Sequence, residues 1–192
     1  MGDKQQKYEQ ILQAAIDVIS EKGFQKTTIS DIVRRANSAQ GTFYLYFDSK
    51  NALIPAIANN LLSITLQRLT KRVTTDRDLW AALTIYIDVT FEITEQYKDI
   101  ILLCYSGTAF DYSMETWEVI YTPLYEWLNE LLHKGITNDN VLPSIPIHWT
   151  SKLIINCVEN AAERFYIAND QLLTCEETKA ELFQFIERSI KQ

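Results

Sequence analysis

The stretch that most constrains the fold of this chain is residues 27–50, TTISDIVRRANSAQGTFYLYFDSK. Thr28 is a favourable N-cap, and Asp31, three residues later, suits the first turn of a helix as its capping partner. Asn37 tolerates the left-handed conformation that ends a helix. A second short helix is predicted from Gln40 to Phe47. Two short helices at a steep angle, joined by about three or four residues, form a helix-turn-helix, whose second helix enters the DNA major groove.

The second helix of this pair has two faces. Phe43 and Phe47 are four residues apart and are predicted to point inward, whereas Thr42, Tyr44 and Tyr46 are left to face outward. The outward side chains carry hydroxyl groups, which can donate hydrogen bonds to DNA. The pattern therefore predicts a recognition helix.

A wider set of residues around this pair falls in one register: Gly23-Phe24, Thr27-Thr28, Ile32, and Gly41-Thr42-x-Tyr44-x-Tyr46-Phe47-x-Ser49-Lys50-x-x-Leu53. The set resembles the amino-terminal DNA-binding domain of the TetR family of bacterial repressors, over roughly residues 8 to 60. The resemblance implies an all-α fold. Residues 1–49 would form a three-helix helix-turn-helix DNA-binding domain, residues 50–73 a connecting helix, and residues 74–192 a larger carboxy-terminal helical domain for ligand binding and dimerisation.

The resemblance also assigns the contacts with double-stranded operator DNA. They fall on Thr27, Thr28, Gln40, Gly41, Thr42, Tyr44, Tyr46 and Lys50. Gly41 would let the backbone approach a phosphate, Thr28 would contact a phosphate through its hydroxyl, and Lys50 would place a cation beside the DNA backbone.

The turn departs from the family pattern. Asn37-Ser38-Ala39 stands where family members usually have Gly-Val-Ser. Ala39 cannot cap the recognition helix as Ser would, so we expect Ser38 to take over the cap with a shift of one residue. Gln40 occupies a position that is often Lys or Arg, and it could read adenine in bidentate fashion. These departures change the details of base readout and leave DNA binding as the expectation.

The net charge of −7 is unevenly divided along the chain. Residues 1–75 hold ten Lys or Arg against six Asp or Glu, whereas residues 76–192 hold eight against nineteen, giving +4 and −11. Only the first part is therefore expected to face a polyanion such as DNA.

Helical periodicity continues to the end of the chain. The predicted helices beyond the first pair are Lys50 to about Val73, Asp76 to Gln96, Asp99 to Tyr105 closed near Gly107, Met114 to His133 ended by Gly135, Trp149 to Asn169, and Glu176 to Ile190. Gly23 is predicted to end the first helix. Arg68, Lys71 and Arg72 gather at the end of the connecting helix, where the helix dipole alone accounts for them.

Cysteine usage and hydropathy indicate a cytoplasmic protein. Cys104, Cys157 and Cys175 form no CxxC pair, which is typical of a reducing compartment and indicates neither a disulfide framework nor a metal site. No signal peptide is visible at the polar start MGDKQQKYEQ, and no apolar run is long enough to span a membrane. No cofactor motif is present.

Aromatic residues and carboxylates lie side by side in the carboxy-terminal part. Sixteen of the 22 aromatic residues fall between Trp80 and Phe185. Aromatic faces beside carboxylates suit an aromatic or cationic small molecule as inducer. The predicted pocket residues are Trp80, Phe91, Glu95, Tyr97, Trp117 and Tyr121. The alternative is that the aromatics form the core and the carboxylates face water.

The resemblance places a homodimer interface on the last two helices, which would pair with their copies in a four-helix bundle. The predicted interface residues are Leu153, Cys157, Ala161, Leu182, Phe183 and Ile186. The pattern itself shows only that the two helices are amphipathic, so packing within one subunit is the alternative.

The expected function is a ligand-responsive repressor that binds a palindromic operator as a dimer and is released by a small molecule. One alternative is a small helical enzyme, although the chain has no GxSxG, HExxH, P-loop or dinucleotide fingerprint. His133 and His148 also lack a neighbouring nucleophile pattern. A second alternative is a protein-interaction adaptor that keeps the helix-turn-helix without binding DNA.

Overall fold

The computed structural model of the protein describes residues 2–74, 78–104 and 112–192. These ranges contain eight α-helices: α1 (Gly2–Lys22), α2 (Ile29–Arg35), α3 (Gln40–Tyr44), α4 (Leu53–Arg72), α5 (Leu79–Cys104), α6 (Met114–Thr137), α7 (Ile147–Tyr166) and α8 (Cys175–Ile190). The all-α architecture expected from the sequence is confirmed. The predicted helix start at Asp76, and the helix end at Tyr105 with its closure near Gly107, lie outside the described residues. None of the helices in the described part of the chain has the length and apolar content to cross a bilayer.

The chain divides into two compact units. The first comprises Met1–Asn60 and Asp99–Ile120, and the second comprises Leu61–Lys98 and Tyr121–Gln192. The boundaries fall inside helices, since α4, α5 and α6 each have residues in both units. The two compact units are defined by packing alone, which does not identify functional domains. The functional boundaries expected after residues 49 and 73 therefore stay a prediction.

The first unit is built on the apolar stripe of α1. This helix packs against α2, which in turn packs against α3. Ile11 of α1, Ile32 of α2 and Phe43 of α3 are fully buried. Gly23 ends α1 as predicted, with φ at +79° and its N–H 2.8 Å from the carbonyl oxygen of Ile19. Glycine adopts this left-handed conformation without the steric cost that a side chain would add.

The second unit has its core between α5, α6 and α7. Its fully buried side chains include Leu83, Tyr86 and Val89 of α5, Leu128 and Leu132 of α6, and Val158 and Ala162 of α7. α8 packs against α7. It begins with a capping box in which Thr174 and Glu177 exchange hydrogen bonds, and sequence reasoning missed this cap. α8 ends at Ile190 as predicted, and the other observed bounds of α7 and α8 differ from the predicted ones by one to three residues.

α5 is bent at Tyr97. The φ and ψ of this residue, −119° and 20°, leave the helical region. The sequence predicted two separate helices with a break between Gln96 and Asp99, and the structure shows a kink at that place within one helix.

Gly135 lies inside α6, so the prediction that it ends this helix is wrong. A Cβ atom at this position would lie 2.8 Å from both Leu79 Cδ2 and Val141 Cγ2. Glycine is therefore required for close packing. The chain leaves the helix at Asp139, whose φ is +55°.

Candidate functional site

α2 is held at its start by the predicted capping box. The Thr28 hydroxyl accepts from the Asp31 N–H at 3.2 Å, and the Asp31 carboxylate accepts from the Thr28 N–H at 3.0 Å. The carboxylate also pairs with Lys22 and, at 3.0 Å, with Arg34. The pKa of Asp31 is held well below its usual range, mainly by the hydrogen bond from Lys22 and then by those from Thr28. The first helix of the motif therefore starts at a fixed residue.

The turn after α2 differs from the prediction in its capping. Asn37 has φ at +44°, as expected, and the Ser38 N–H donates to Val33 at 2.9 Å. The Ser38 hydroxyl, however, donates to the Ala36 carbonyl at 3.1 Å and accepts from Lys7 at 3.3 Å. Ser38 thus does not cap α3, and the expectation that it would is wrong. Ala39 takes the N-cap position without a side-chain hydrogen bond.

α3 displays its two faces as predicted, although it ends at Tyr44 and not at Phe47. Phe43 and Phe47 are buried, with their ring centroids 5.3 Å apart. Gln40 and Gly41 are exposed on the opposite side, and Tyr44 has 50% of its surface exposed. Because the inner face is fixed in the core, the outer face is presented to solvent in a defined orientation.

Two of the predicted outer residues are partly covered. Thr42 is half-buried. Tyr46 is also half-buried, with its ring edge-on to that of Tyr8 at a centroid distance of 6.0 Å. Thr28 is exposed at the start of α2. The structure thus leaves Thr28, Gln40, Gly41 and Tyr44 as the most accessible of the predicted DNA contacts.

Thr27 and Lys50 have internal roles that the sequence did not predict. Thr27 is buried and its hydroxyl donates to the Gly23 carbonyl at 2.8 Å, so this hydroxyl is not displayed for DNA. The Lys50 ammonium donates to the carbonyls of Phe24 and Thr27 at 2.9 and 3.0 Å and lies 4.5 Å from the centroid of the Phe24 ring. Lys50 therefore ties together the link between α1 and α2, and a phosphate contact would have to use its remaining N–H.

The six predicted ligand residues do not form one site. Trp80 and Glu95 are fifteen residues apart in α5, a rise of about 22 Å. Trp80 packs on Phe183, whereas Phe91 is buried beside Phe165. Glu95 is exposed. Helical periodicity predicts which face of a helix carries the aromatic residues, but not which residues of other helices they contact. The prediction of a single pocket is wrong for this reason.

The structure instead brings Tyr121 together with Glu159 of α7. The Tyr121 hydroxyl donates to the Glu159 carboxylate at 3.0 Å. Glu159 is half-buried, and this burial raises the pKa of its carboxyl group to about 8. Nearby Glu163 acts in the same direction, and the hydrogen bond from Tyr121 opposes it. The sequence held only a weak signal, since Glu159 lies one turn from the apolar Ile155 and Ala162 but also one turn from Asn156 and Glu163.

An apolar stripe is exposed on α7 and α8. Trp149 and Leu153, one turn apart on α7, have 61% and 49% of their surface exposed. Cys157, Ala161 and Leu182 are half-buried. Phe185, which the sequence did not single out, is 62% exposed. Ile186 is only 2% exposed, so its assignment to an interface is wrong: it belongs to the core of its own chain. Phe183 is half-buried, with its ring edge-on to that of Trp80 of the same chain at a centroid distance of 6.3 Å, and its place in the interface stays a prediction.

The capped α2, the left-handed residue at the turn and the outward face of α3 define a transcriptional regulator with a helix-turn-helix DNA-binding domain. Residues 11–57 match the model of the bacterial regulatory proteins of the tetR family, and residues 83–190 match the model of the tetracyclin repressor-like C-terminal domain. The chain belongs to the TetR family.

Relatives of similar length support this assignment. The chain is 59% identical over 184 residues to the uncharacterized HTH-type transcriptional regulator YvdT of Bacillus subtilis (strain 168), covering 96% of this chain and 95% of the relative. It is 23% identical to the fatty acid metabolism regulator protein of the same organism over 89% of each chain. The structure of the fatty acid degradation regulator FadR from Bacillus halodurans shares the fold, with a TM-score of 0.76 at 19% identity and coverage of 97% and 95%. FadR from Bacillus subtilis in complex with stearoyl-CoA has a TM-score of 0.74 at 19% identity, with coverage of 93% and 97%.

Proposed function

We propose that the protein is a ligand-responsive transcriptional repressor that binds a palindromic operator as a homodimer and leaves it when a small molecule binds. The observation that carries the proposal is the display of Gln40 and Tyr44 on α3, whose inner face is fixed by the buried rings of Phe43 and Phe47. A recognition helix needs this combination, because base contacts depend on side chains held in a defined orientation.

The accessible residues of the motif suit different parts of a DNA site. The Gln40 amide has the donor and acceptor pair that matches the major-groove edge of adenine. The Tyr44 hydroxyl reaches a phosphate or a base, and the exposed backbone at Gly41 admits close approach of the DNA backbone. The Thr28 hydroxyl marks the start of α2, where the helix dipole favours a phosphate.

A dimer is supported by the exposed stripe on α7 and α8. Trp149 and Leu153 would be left in water in a monomer, together with Phe185. Apolar side chains grouped in this way mark an interaction surface. A two-fold symmetric partner would present the same stripe, so the surface is self-complementary. The proposed interface residues are Trp149, Leu153, Cys157, Ala161, Leu182 and Phe185.

A small molecule with a substantial apolar part is the proposed ligand. The many aromatic side chains of the second unit support it, and so does the likeness of the fold to FadR in complex with stearoyl-CoA. Two recognition helices of a dimer fit DNA only at about 34–36 Å, one helical turn. The ligand would have to bind the form with an unsuitable spacing more tightly, since a ligand with equal affinity for both forms shifts neither.

The test is a selection of binding sites from random double-stranded DNA, followed by affinity measurements on the selected operator. A palindromic site is expected. Tyr44→Ala and Gln40→Ala should each weaken binding about tenfold or more. Gln25→Ala, which removes an exposed amide outside α3, is the matched control and should leave the affinity unchanged. Failure to select any sequence would favour the adaptor or enzyme alternatives, and unchanged affinity of both α3 variants would remove the base-reading assignment.

A further inference from the structure

The cations of α1 and α2 fall into two groups. Those in the last turns of these helices are neutralised by carboxylates. The ion pairs there are Lys22–Asp31, Arg34–Asp31 and Arg35–Glu21. Lys4 and Lys7, in the first two turns of α1, form no ion pair with any side chain that the structure describes. The charge that this surface offers to a polyanion is therefore concentrated at the start of α1.

The ammonium of Lys7 is held between α1 and the turn that precedes α3. It donates to the Gln10 side-chain oxygen of its own helix at 2.8 Å and to the Ser38 hydroxyl at 3.3 Å. The Ser38 hydroxyl donates its own proton to the Ala36 carbonyl at 3.1 Å, so its oxygen is left to accept from Lys7. An ammonium has three N–H donors, and these contacts use two of them. One donor and the full positive charge remain for a further partner.

This ammonium lies beside the end of α3 that would face DNA. Ser38 comes two residues before Gln40, the first residue of α3. In a helix-turn-helix, the N-terminal residues of the recognition helix contact the edges of the bases. A cation next to these residues is therefore close to the sugar-phosphate strand that borders the major groove, where phosphate oxygens are the acceptors at hand.

A groove continues from this point along α1. Its lining residues are Lys4, Gln5, Tyr8 and Tyr46, and its volume is about 590 Å³. Lys4 and Lys7 are three residues apart and so share one side of α1. Glu9 comes two residues after Lys7 and lies on nearly the opposite side of the helix. Its carboxylate, which accepts from Gln5 at 2.9 Å, is thus kept away from the Lys7 ammonium.

The position of α1 relative to α3 is fixed by aromatic packing. The Tyr8 ring lies 5.2 Å from that of buried Phe47 and 6.0 Å from that of Tyr46, centroid to centroid. The first turns of α1 and the recognition helix are thus presented together.

We propose that the start of α1 is a further DNA-contacting element, in which Lys7, positioned by Ser38, binds a backbone phosphate beside the recognition helix and Lys4 binds a second phosphate of the same site. The inference rests on the proposed function, because it adds contacts to the same operator complex. Phosphate contacts fix the register of a protein on DNA and carry no sequence information directly. Lys7 and Lys4 contribute affinity and register, and the outer face of α3 reads the bases.

Ser38 gives the Lys7 contact its specific form. Family members usually have Val at this position, and a valine side chain has no acceptor for an ammonium. A lysine that is held in place before binding loses less conformational entropy when it meets a phosphate. The hydroxyl of Ser38 is therefore a positioning group for Lys7, and the two residues should act as one unit.

The test measures operator affinity by fluorescence anisotropy at several salt concentrations. Lys7→Ala should weaken binding about threefold or more and lower the slope of log affinity against log salt by about one, because one phosphate contact is lost. Lys4→Ala combined with Lys7→Ala should lower the slope by about two. Arg34→Ala, which removes a cation that is 80% exposed but already paired with Asp31, is the matched control and should keep the parental slope. A parental slope in Lys7→Ala would overturn the proposal, and a double variant no different from Lys7→Ala would overturn the Lys4 contact.

Two measurements separate a DNA contact from a structural effect. Lys7→Ala should weaken operator and random-sequence DNA by the same factor, and its melting temperature should match that of the parent. Ser38→Val should weaken operator binding about threefold, whereas Ser38→Thr, which keeps the hydroxyl, should bind as the parent does. In the Lys7→Ala background, Ser38→Val should cause no further loss. Additive losses would contradict the positioning role of Ser38.

The same experiments distinguish this inference from the proposed function. A protein that binds no double-stranded DNA would contradict both. A protein that selects an operator, loses affinity in Tyr44→Ala and keeps its parental salt slope in Lys7→Ala would contradict only the role of α1.

Discussion

Arg72 of α4 forms a bidentate ion pair with Glu92 of α5, in which two guanidinium nitrogens lie 2.7 and 2.8 Å from the two carboxylate oxygens. Arg68, one turn earlier, lies 3.6 Å from the same carboxylate and donates to Gln96 at 2.7 Å. From the sequence, the helix dipole alone explains why cations gather at the end of α4. The structure shows that Arg72 and Arg68 also have specific partners. Arg72 lowers the pKa of Glu92, although burial opposes the shift.

Glu92→Gln should lower the free energy of unfolding by less than about 1 kcal/mol, because ion pairs this exposed are largely screened by water. The loss should shrink at high salt, where the pair is screened further. Urea unfolding at low and high sodium chloride measures both effects. Lys71→Gln removes a cation from the same exposed last turn and is the matched control. If Lys71→Gln lowers the free energy of unfolding by the same amount, the helix dipole would be sufficient to explain the stabilising effect of these cations.

Lys50→Ala should destabilise the first unit as well as weaken operator binding. Two carbonyls lose their charged donor and Phe24 loses its cation, which together contribute about 2 kcal/mol. Thermal unfolding measures the first effect. The slope of operator affinity against salt distinguishes the roles: it should fall by about one if Lys50 also reaches a phosphate. Lys26→Ala, an exposed cation in the same link, should leave the melting temperature unchanged.

Two substitutions at adjacent positions of α8 should have different effects: Phe185→Lys should prevent dimerisation, and Ile186→Lys should prevent folding. Phe185 is largely exposed, so its replacement should give a folded monomer if α7 and α8 form the interface. Ile186 is buried in its own chain, so a lysine there should unfold the protein, because an unpaired charge cannot be accommodated in a core. Sedimentation equilibrium and circular dichroism on both variants test this. A dimeric Phe185→Lys protein would place the interface elsewhere.

Much of the local structure could be predicted, because it depends on residues close together in the sequence. The capping box of Thr28 and Asp31, the left-handed Asn37 and the end of α1 at Gly23 all follow from local chemistry. The break in α5 at Tyr97 was also placed correctly.

Most of the errors concern contacts between residues that are distant in sequence, and the exception is the expected Ser38 cap, which failed because its hydroxyl donates to the Ala36 carbonyl. A helix-ending glycine and a glycine packed against a neighbour cannot be distinguished in a sequence, and for this reason the prediction for Gly135 is wrong. Thr27 and Lys50 matched a DNA-binding pattern, but their hydrogen bonds lie within the protein. The pocket prediction rests on composition alone, although the predicted helix from Asp76 to Gln96 already separates Trp80 from Glu95 by about four helical turns.

The half-buried Glu159 makes stability depend on pH. Its pKa of about 8 in the folded protein lies above the usual value of about 4.3 for an unfolded chain. Between these values the folded state holds a proton that the unfolded state has lost, so the free energy of unfolding should fall as the pH rises from about 4.3 to about 8. The slope is at most about 1.4 kcal/mol per pH unit, and it levels off above the folded pKa.

Two other groups influence this titration. The hydrogen bond from Tyr121 lowers the pKa of Glu159, whereas nearby Glu163 raises it. The measurement is therefore a difference between variants in urea unfolding at several pH values. The free energy of unfolding of the Glu159→Gln protein should not fall with pH as that of the parent does, whereas the Glu126→Gln protein, changed at an exposed position of α6, should behave like the parent. Parallel curves for the parent and Glu159→Gln would show that Glu159 titrates normally.

The lack of a side-chain cap on α3 has a consequence for engineering. The N-cap residue Ala39 makes no capping hydrogen bond, and Phe43 is the one buried residue of the helix. Few stabilising interactions would thus be lost if Gln40, Thr42 and Tyr44 were exchanged for those of another regulator. The outer positions of α3 form a replaceable module, and a library varied at these positions alone should yield folded proteins that differ in the operator they select.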